Sequence, residues 1–217
     1  MAQAHPKLRA VHSWRIFRVF YWLIRRPQDL REYFRHSLFS SQSPLELGMP
    51  WWTFGAVREI ESRLNKAMEV FEYGSGGSTV FLAQRCRMVA AVEDDPQWTE
   101  AVCKEGARRG LTNIQIQKCP YDFVQAHQFE DSNYFRSIRG KKYDLVVVDG
   151  QEYGIQVRET CFWEAERHIH PGGMIVVDDS HRYPRIKKKN QAVRFKIFRG
   201  TGYSRRGVSE TAIFYYS

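Results

Sequence analysis

Paired cysteines and membrane-length apolar runs are both missing from this chain of 217 residues. Its four cysteines, Cys86, Cys103, Cys119 and Cys161, are scattered, with no C-x-x-C and no metal-ligand spacing. That argues against a disulfide scaffold or a zinc module and fits reduced, partly buried thiols in a cytosolic protein. No stretch of about 18 uncharged apolar residues occurs, so no segment is expected to span a membrane. No small-residue cleavage site follows a short apolar run near the N-terminus, so no signal peptide is expected. A content of 43% hydrophobic and 14% aromatic residues excludes a disordered chain, and this length suffices for one sizeable core.

Acids are scarce in two stretches. Residues 1–40 hold eight Lys/Arg against Asp29 and Glu32, and residues 181–209 hold ten with no acid at all. The remainder is net acidic, although the whole chain carries +9. Attraction for polyanions therefore belongs to two basic attachments and not to the core, with a solvated charged surface as the alternative reading.

What the chain does have is a glycine-rich turn between a strand and a helix. Residues 70–83 read VFEYGSGGSTVFLA, an apolar strand running into glycines and then into a helical segment carrying Val80, Phe81 and Leu82. Glycines let the backbone approach a ligand with no Cβ in the way. Ser75, Ser78 and Thr79 surround the turn, and Ser78 and Thr79 are placed to cap a helix whose free N–H groups face the same crevice. A dinucleotide fingerprint needs G-x-G-x-x-G; Gly74 and Gly76 fit, but the third position is Thr79. Glu72, two residues before Gly74, would repel a pyrophosphate and could pair with an amino group. Glu93 closes the next apolar run about 20 residues on, where an acid bonds ribose hydroxyls. An adenosine and an ammonium in one ligand describe S-adenosylmethionine better than NAD.

Four segments in this order and spacing, VFEYGSGGSTVFLA, VEDDPQW, YDLVVVDG and PGGMIVVDDS, resemble the successive motifs of class I S-adenosylmethionine-dependent methyltransferases. The likeness runs from Trp51 to Ser217 and is nearest to small-molecule O-methyltransferase-like members with an E-x-G-S-G-x-S-T first motif. Ser78 stands where many members carry a third glycine.

Alternating patterns extend this frame. Strands are expected near 68–73, 88–93, 114–118, 143–149 and 173–178, and helices near 79–86, 96–109, 122–128 and 155–168. That alternation predicts an α/β fold with a doubly wound, mostly parallel sheet. Runs 192–198 and 211–216, separated by glycines, read as a closing hairpin. With them the sheet has seven strands, and the hairpin matches the antiparallel last strand of the resembled fold. Ahead of this lies a helix over 11–26, bearing Arg15, Arg18 and Arg25 on one stripe among aromatics and ended by Pro27. A short helix over 29–36, a serine-rich linker over 37–44 and a helix opened by Pro50–Thr53 follow. The division expected is a basic, aromatic extension and linker, residues 1–42, and a methyltransferase domain, residues 43–217.

A second cluster is acidic. Asp149 ends the buried run 145–148, and Asp178 and Asp179 end the run 174–177, so all three reach the crevice at the carboxyl end of the sheet. Three carboxylates there need protons or a cation. Mg²⁺ would suit such oxygens and could hold a hydroxyl acceptor for attack on the methyl sulfonium. The resemblance implies the same: Asp149, Asp178 and Asp179 match metal-ligand positions of some O-methyltransferases, while other relatives keep the acids without metal. A structural role, bonding backbone amides or Arg182, is the competing reading.

Catalysis is assigned to Asp149, Asp178 and His181, the last a general base if it faces the site and a loop histidine if it does not. Cofactor binding is assigned to Glu72, Gly74, Ser75, Gly76, Ser78, Thr79, Glu93 and Asp122, although Asp122 could equally cap a helix. Trp98 fits either the adenine or the core, and Trp51 and Trp52 either the mouth of the site or the core. His168 and His170 read as helix-end residues. The fourth strand ends Val-Asp-Gly, not the Asn/Asp-Pro-Pro-aromatic of amino-group methylases, which favours oxygen as the methyl acceptor. The function expected is O-methylation of a small molecule. An RNA methyltransferase tracking phosphates with Arg182, Arg185 and Lys187–Lys189 is the alternative, and a non-catalytic nucleoside-binding scaffold a third. For residues 11–26, packing on the domain, a homodimer contact and a membrane surface all stand open. A cytoplasmic location is expected, with attachment to the inner face of a membrane as the variant.

Overall fold

A computed structural model describes residues 6–122, 128–151 and 156–217, with side chains from Ile16 onward. Helix α1 spans Pro6–Arg25, starting earlier than its apolar pattern implied, and Pro27 forces the change of direction after it. Two short turns of helix follow, α2 (Leu30–Tyr33) and the π-turn Phe34–Leu38. The serine-rich stretch is ordered. Ser43 and Glu46 form a reciprocal capping box that starts α3 (Pro44–Leu47), satisfying the helix's free donors. Helix α4 (Phe54–Glu61) then buries Phe54, Ala56, Val57 and Ile60 on one face.

The core alternates strands and helices: β1 (Glu69–Tyr73), α5 (Gly77–Ala83), β2 (Met88–Glu93), α6 (Pro96–Arg108) and β3 (Ile114–Lys118). It continues with α7 (Asn133–Arg136), β4 (Tyr143–Val148), α8 (Val157–Ala165), β5 (Ile169–Val177), α9 (Pro184–Lys188), β6 (Arg194–Gly200) and β7 (Ser209–Tyr215). These strands form one seven-stranded sheet in the order β3-β2-β1-β4-β5-β7-β6. Strands β1 to β5 pair in parallel, and β7 inserts antiparallel between β5 and β6. The order reverses at β1/β4, where ligands bind in sheets of this kind. Central strands are buried on both faces, as Val70, Leu145, Val146, Val147 and Val148 show, which explains their continuous apolar runs.

One expectation needs adjustment and another cannot be compared. The helix placed at 122–128 falls largely outside the described residues. Strand β5 begins at Ile169 and shifts register against β4 between Tyr143 and Leu145, so His170 lies in the strand and not at a helix end. His168 does follow α8, with Nε2 3.6 Å from Glu164. The extension packs on the sheet domain: Val19, Leu23 and Tyr33 are buried with Phe54, and Arg58 pairs with the buried Asp29. No described helix is long and apolar enough to cross a membrane.

Candidate active site

A cleft of about 730 Å³ opens at the switch point, floored by the β1–α5 turn and by Asp149 and Gly150 at the end of β4. The three glycines of the turn are needed for different reasons. Gly74 has φ +89°, and a Cβ there would lie 2.9 Å from Gly150 Cα. A Cβ on Gly77 would lie 2.2 Å from Met49 O, so this residue is fixed by packing against the chain around α3. Gly76 has extended φ, and its missing Cβ looks onto open space bounded by Trp98 at 3.8 Å. Nothing in the protein itself requires glycine at position 76, whereas a ligand approaching the backbone would.

Glu93 anchors this loop. One carboxylate oxygen accepts from Ser75 N and Ser75 Oγ, both at 2.8 Å, and the other accepts from Asp94 N and Asp95 N. Trp98 Nε1 donates to Ser75 O at 2.7 Å, which sets the indole on the cleft wall and not in the core. Thr79 is buried and accepts from Gly76 N through its hydroxyl at 2.9 Å. Glu72 lies beneath the turn, 1% exposed. Neither of its oxygens makes a well-formed hydrogen bond; burial pushes its pKa up to about 8 against the weaker pull of Thr79 and Ser78.

Of the residues assigned to the cofactor, Gly74, Ser75, Gly76, Ser78 and Glu93 line the cleft together. Glu72 and Thr79 support the loop from below. Asp122 is not among the lining residues.

The acidic cluster departs from the metal expectation. Asp149 meets Arg158 Nη1 at 3.1 Å. Asp178, fully buried, accepts from Thr211 Oγ1 at 2.9 Å and pairs with Arg205. Asp179 accepts from Ser209 Oγ at 2.8 Å and from Arg205 Nη1 at 3.0 Å. Arg158 and Arg205 between them pair with all three carboxylates, each through one oxygen. Among the described residues no group of three His, Cys, Asp or Glu is arranged to hold a metal ion. The residues present do not fit Mg²⁺, and Asp149, Asp178 and Asp179 are not assigned as its ligands.

Burial raises the pKa of Asp149, opposed by Arg158 and Arg205. Burial and the neighbouring Asp149 push Asp178 up to about 7, while Arg205 and Ser209 hold Asp179 below the usual carboxylate range against its own burial. Only Asp149 of the three catalytic candidates lines the cleft. His181 sits on an exposed turn after β5 and does not join it.

Arg205 escaped the sequence reading, Arg158 stood open in it as a surface or substrate-facing residue, and the serines from Ser37 were read as a linker. Arg205, from the turn between β6 and β7, reaches across to the end of β5, donates to Trp51 O at 2.7 Å and stacks on the Trp51 ring. Arg158 donates to Gly150 O at 2.8 Å and to Asp178 O at 3.1 Å. Ser37, Ser40, Ser41, Gln42 and Ser43 form the cleft wall opposite the glycine turn. An excess of arginine and of serine says nothing about which distant groups these residues meet.

A family model described as a methyltransferase domain matches residues 71–180, half of the chain. No curated protein matches by sequence. Among solved structures, a candidate O-methyltransferase from Klebsiella pneumoniae superposes with a TM-score of 0.61 at 14% identity, over 92% of this chain and 99% of its own. An rRNA methylase from Streptococcus thermophilus gives 0.55 at 10% identity, over 82% and 99%. A candidate methyltransferase from Streptococcus mutans, in complex with S-adenosylhomocysteine, gives 0.51 at 13% identity, over 81% and 99%. Identities this low speak to fold alone. The sheet order, the switch-point cleft and the matched domain define a Rossmann-like methyltransferase. The chain belongs to the methyltransferase-domain family, as a class I S-adenosylmethionine-dependent enzyme.

Proposed function

We propose that the protein O-methylates a small hydroxylated molecule. The observation that carries this reading is the placement of Asp149. It is the one carboxylate of the acidic cluster that lines the cleft, it lies beside the glycine turn, and its pKa is raised by burial. A carboxylate so placed can take a hydroxyl proton as the oxygen attacks.

In this reading Gly74–Thr79 cradle the cofactor, Gly76 leaves room for the nucleoside and Glu93 receives the ribose hydroxyls. Bound S-adenosylmethionine supplies a methyl group already activated as a sulfonium. The protein's part is alignment. Arg158 holds the Asp149 carboxylate in place, and Asp178 and Arg205 support that arrangement from behind without touching the acceptor. With that methyl donor bound, Asp149 would take the proton that the acceptor hydroxyl gives up on methylation. Residues 1–42 serve as an extension to the catalytic domain, of which Ser37, Ser40, Ser41 and Gln42 supply part of the acceptor wall, and the location is cytoplasmic.

The RNA reading loses support because two of its basic residues are engaged. Arg185 lies 3.2 Å from Glu159, and Lys187 pairs with the buried Glu210. A transfer screen with labelled S-adenosylmethionine against hydroxylated small molecules and RNA pools tests the proposal. Asp149→Asn is expected to lower kcat by about 10²–10⁴-fold while S-adenosylhomocysteine affinity, read by calorimetry, stays unchanged. Labelling of RNA alone would overturn the small-molecule reading.

A further inference from the structure

Helix α1 carries two apolar faces, and the domain uses one of them. Val19 and Leu23 are buried, with Trp22 half-buried beside them. Successive residues advance by about 100° around a helix, so Phe17, Phe20, Tyr21 and Ile24 fall on the opposite side. They are exposed, Phe17 at 76% and Ile24 at 77%. Further exposed aromatics follow α1, where Phe34 stacks on Phe39 at 5.9 Å and Phe39 is 79% exposed. A helix resting on a domain ordinarily turns polar residues outward, and an outward aromatic face of this kind marks an interaction site.

The unpaired charges around the face are of one sign, since the two acids of this segment, Asp29 and Glu32, both pair with Arg58. Arg18 and Arg25 flank it, Arg31 and Arg35 follow on the next turns, and all four are exposed. None of them makes an ion pair among the described residues, although Arg25 lies over the Tyr21 ring at 4.7 Å. No acid precedes Asp29 in the chain. A second copy docking face to face would bring the same arginines together with no carboxylate in α1 to offset them. A nucleic acid would match the charge and leave Ile16, Phe17 and Ile24 in water. A surface with anionic groups over an apolar layer matches both features: aromatic rings settle at headgroup depth and guanidiniums meet phosphates.

We propose that the outer face of residues 16–39 docks the protein on an anionic lipid bilayer, with α1 lying in the interface and not crossing it. This goes beyond the methyl-transfer reading and does not depend on it.

Co-sedimentation of the full-length chain tests it, using vesicles of phosphatidylcholine with phosphatidylglycerol and vesicles of phosphatidylcholine alone, at low and high salt. Binding is expected only with phosphatidylglycerol and is expected to weaken as salt rises. Arg18→Gln with Arg25→Gln should lower partitioning about thirtyfold, since each basic residue at such a surface contributes about fivefold. Phe17→Ser with Ile24→Ser should lower it at least as far. These side chains face solvent, so circular dichroism and S-adenosylhomocysteine binding should be unchanged in both variants. No binding to either vesicle, equal binding to both, or a concentration-dependent dimer that Phe17→Ser with Ile24→Ser abolishes would each overturn the proposal.

Discussion

Adjacent glycines in one turn have opposite physical roles. At Gly76 the backbone is extended and a Cβ would meet only Trp98, at 3.8 Å. Gly76→Val is therefore expected to abolish S-adenosylhomocysteine binding in calorimetry with little change in melting temperature. Gly77→Ala should do the reverse of this in stability, costing about 1–3 kcal/mol by overpacking against Met49 O and Pro44 O, measured by denaturant unfolding. Glu72 yields a pH prediction. Its folded-state pKa is raised to about 8 from 4.5, so between those values the unfolded chain has released the proton and the folded one retains it. The unfolded state then binds fewer protons, and stability attributable to Glu72 falls as pH rises through that window. Glu72→Gln should flatten this part of the stability profile, the gap to wild type widening toward pH 8; parallel profiles would refute it.

At the scale of elements, the turn between β6 and β7 locks the acidic cluster. Arg205 bridges Asp178, Asp179 and Trp51 from a side chain that is itself mostly buried. Removing one partner of a buried pair leaves uncompensated charge, so Arg205→Ala is expected to destabilise by about 3–5 kcal/mol in chemical denaturation. Thr211 and Ser209 in β7 supply the remaining hydrogen bonds to the two acids. The antiparallel strand thus completes the site as well as the sheet.

For the molecule as a whole, the extension is part of the folded unit. Val19, Leu23 and Tyr33 pack with Phe54, Asp29 pairs with Arg58, and Ser37 Oγ donates to Gly202 O at 2.7 Å. Each buried apolar side chain contributes about 1.5–3 kcal/mol. A chain starting at Ser43 is expected to melt at least about 5 °C lower by calorimetry. It would also lose the cleft wall around Ser40 and Ser41, so any acceptor affinity should fall more than S-adenosylhomocysteine affinity.

Local features were legible in the residues alone. The strand–glycine–helix turn, the acid ending β2 and the alternation that builds a parallel sheet are short-range patterns, set by backbone conformation and side-chain period within a few positions. Glu93, Asp149 and Asp178 could be placed at strand ends for the same reason. Their partners could not. Asp178 meets Arg205 from 27 positions away and Asp149 meets Arg158, and these pairings set guanidiniums against the acids where the residues alone suggested a cation. Likewise the serines of 37–43 read as a linker, because nothing local distinguishes a solvated polar stretch from one folded across a cleft. Charge pairing and cleft walls depend on which distant segments the sheet order brings together, and only the tertiary structure settles that.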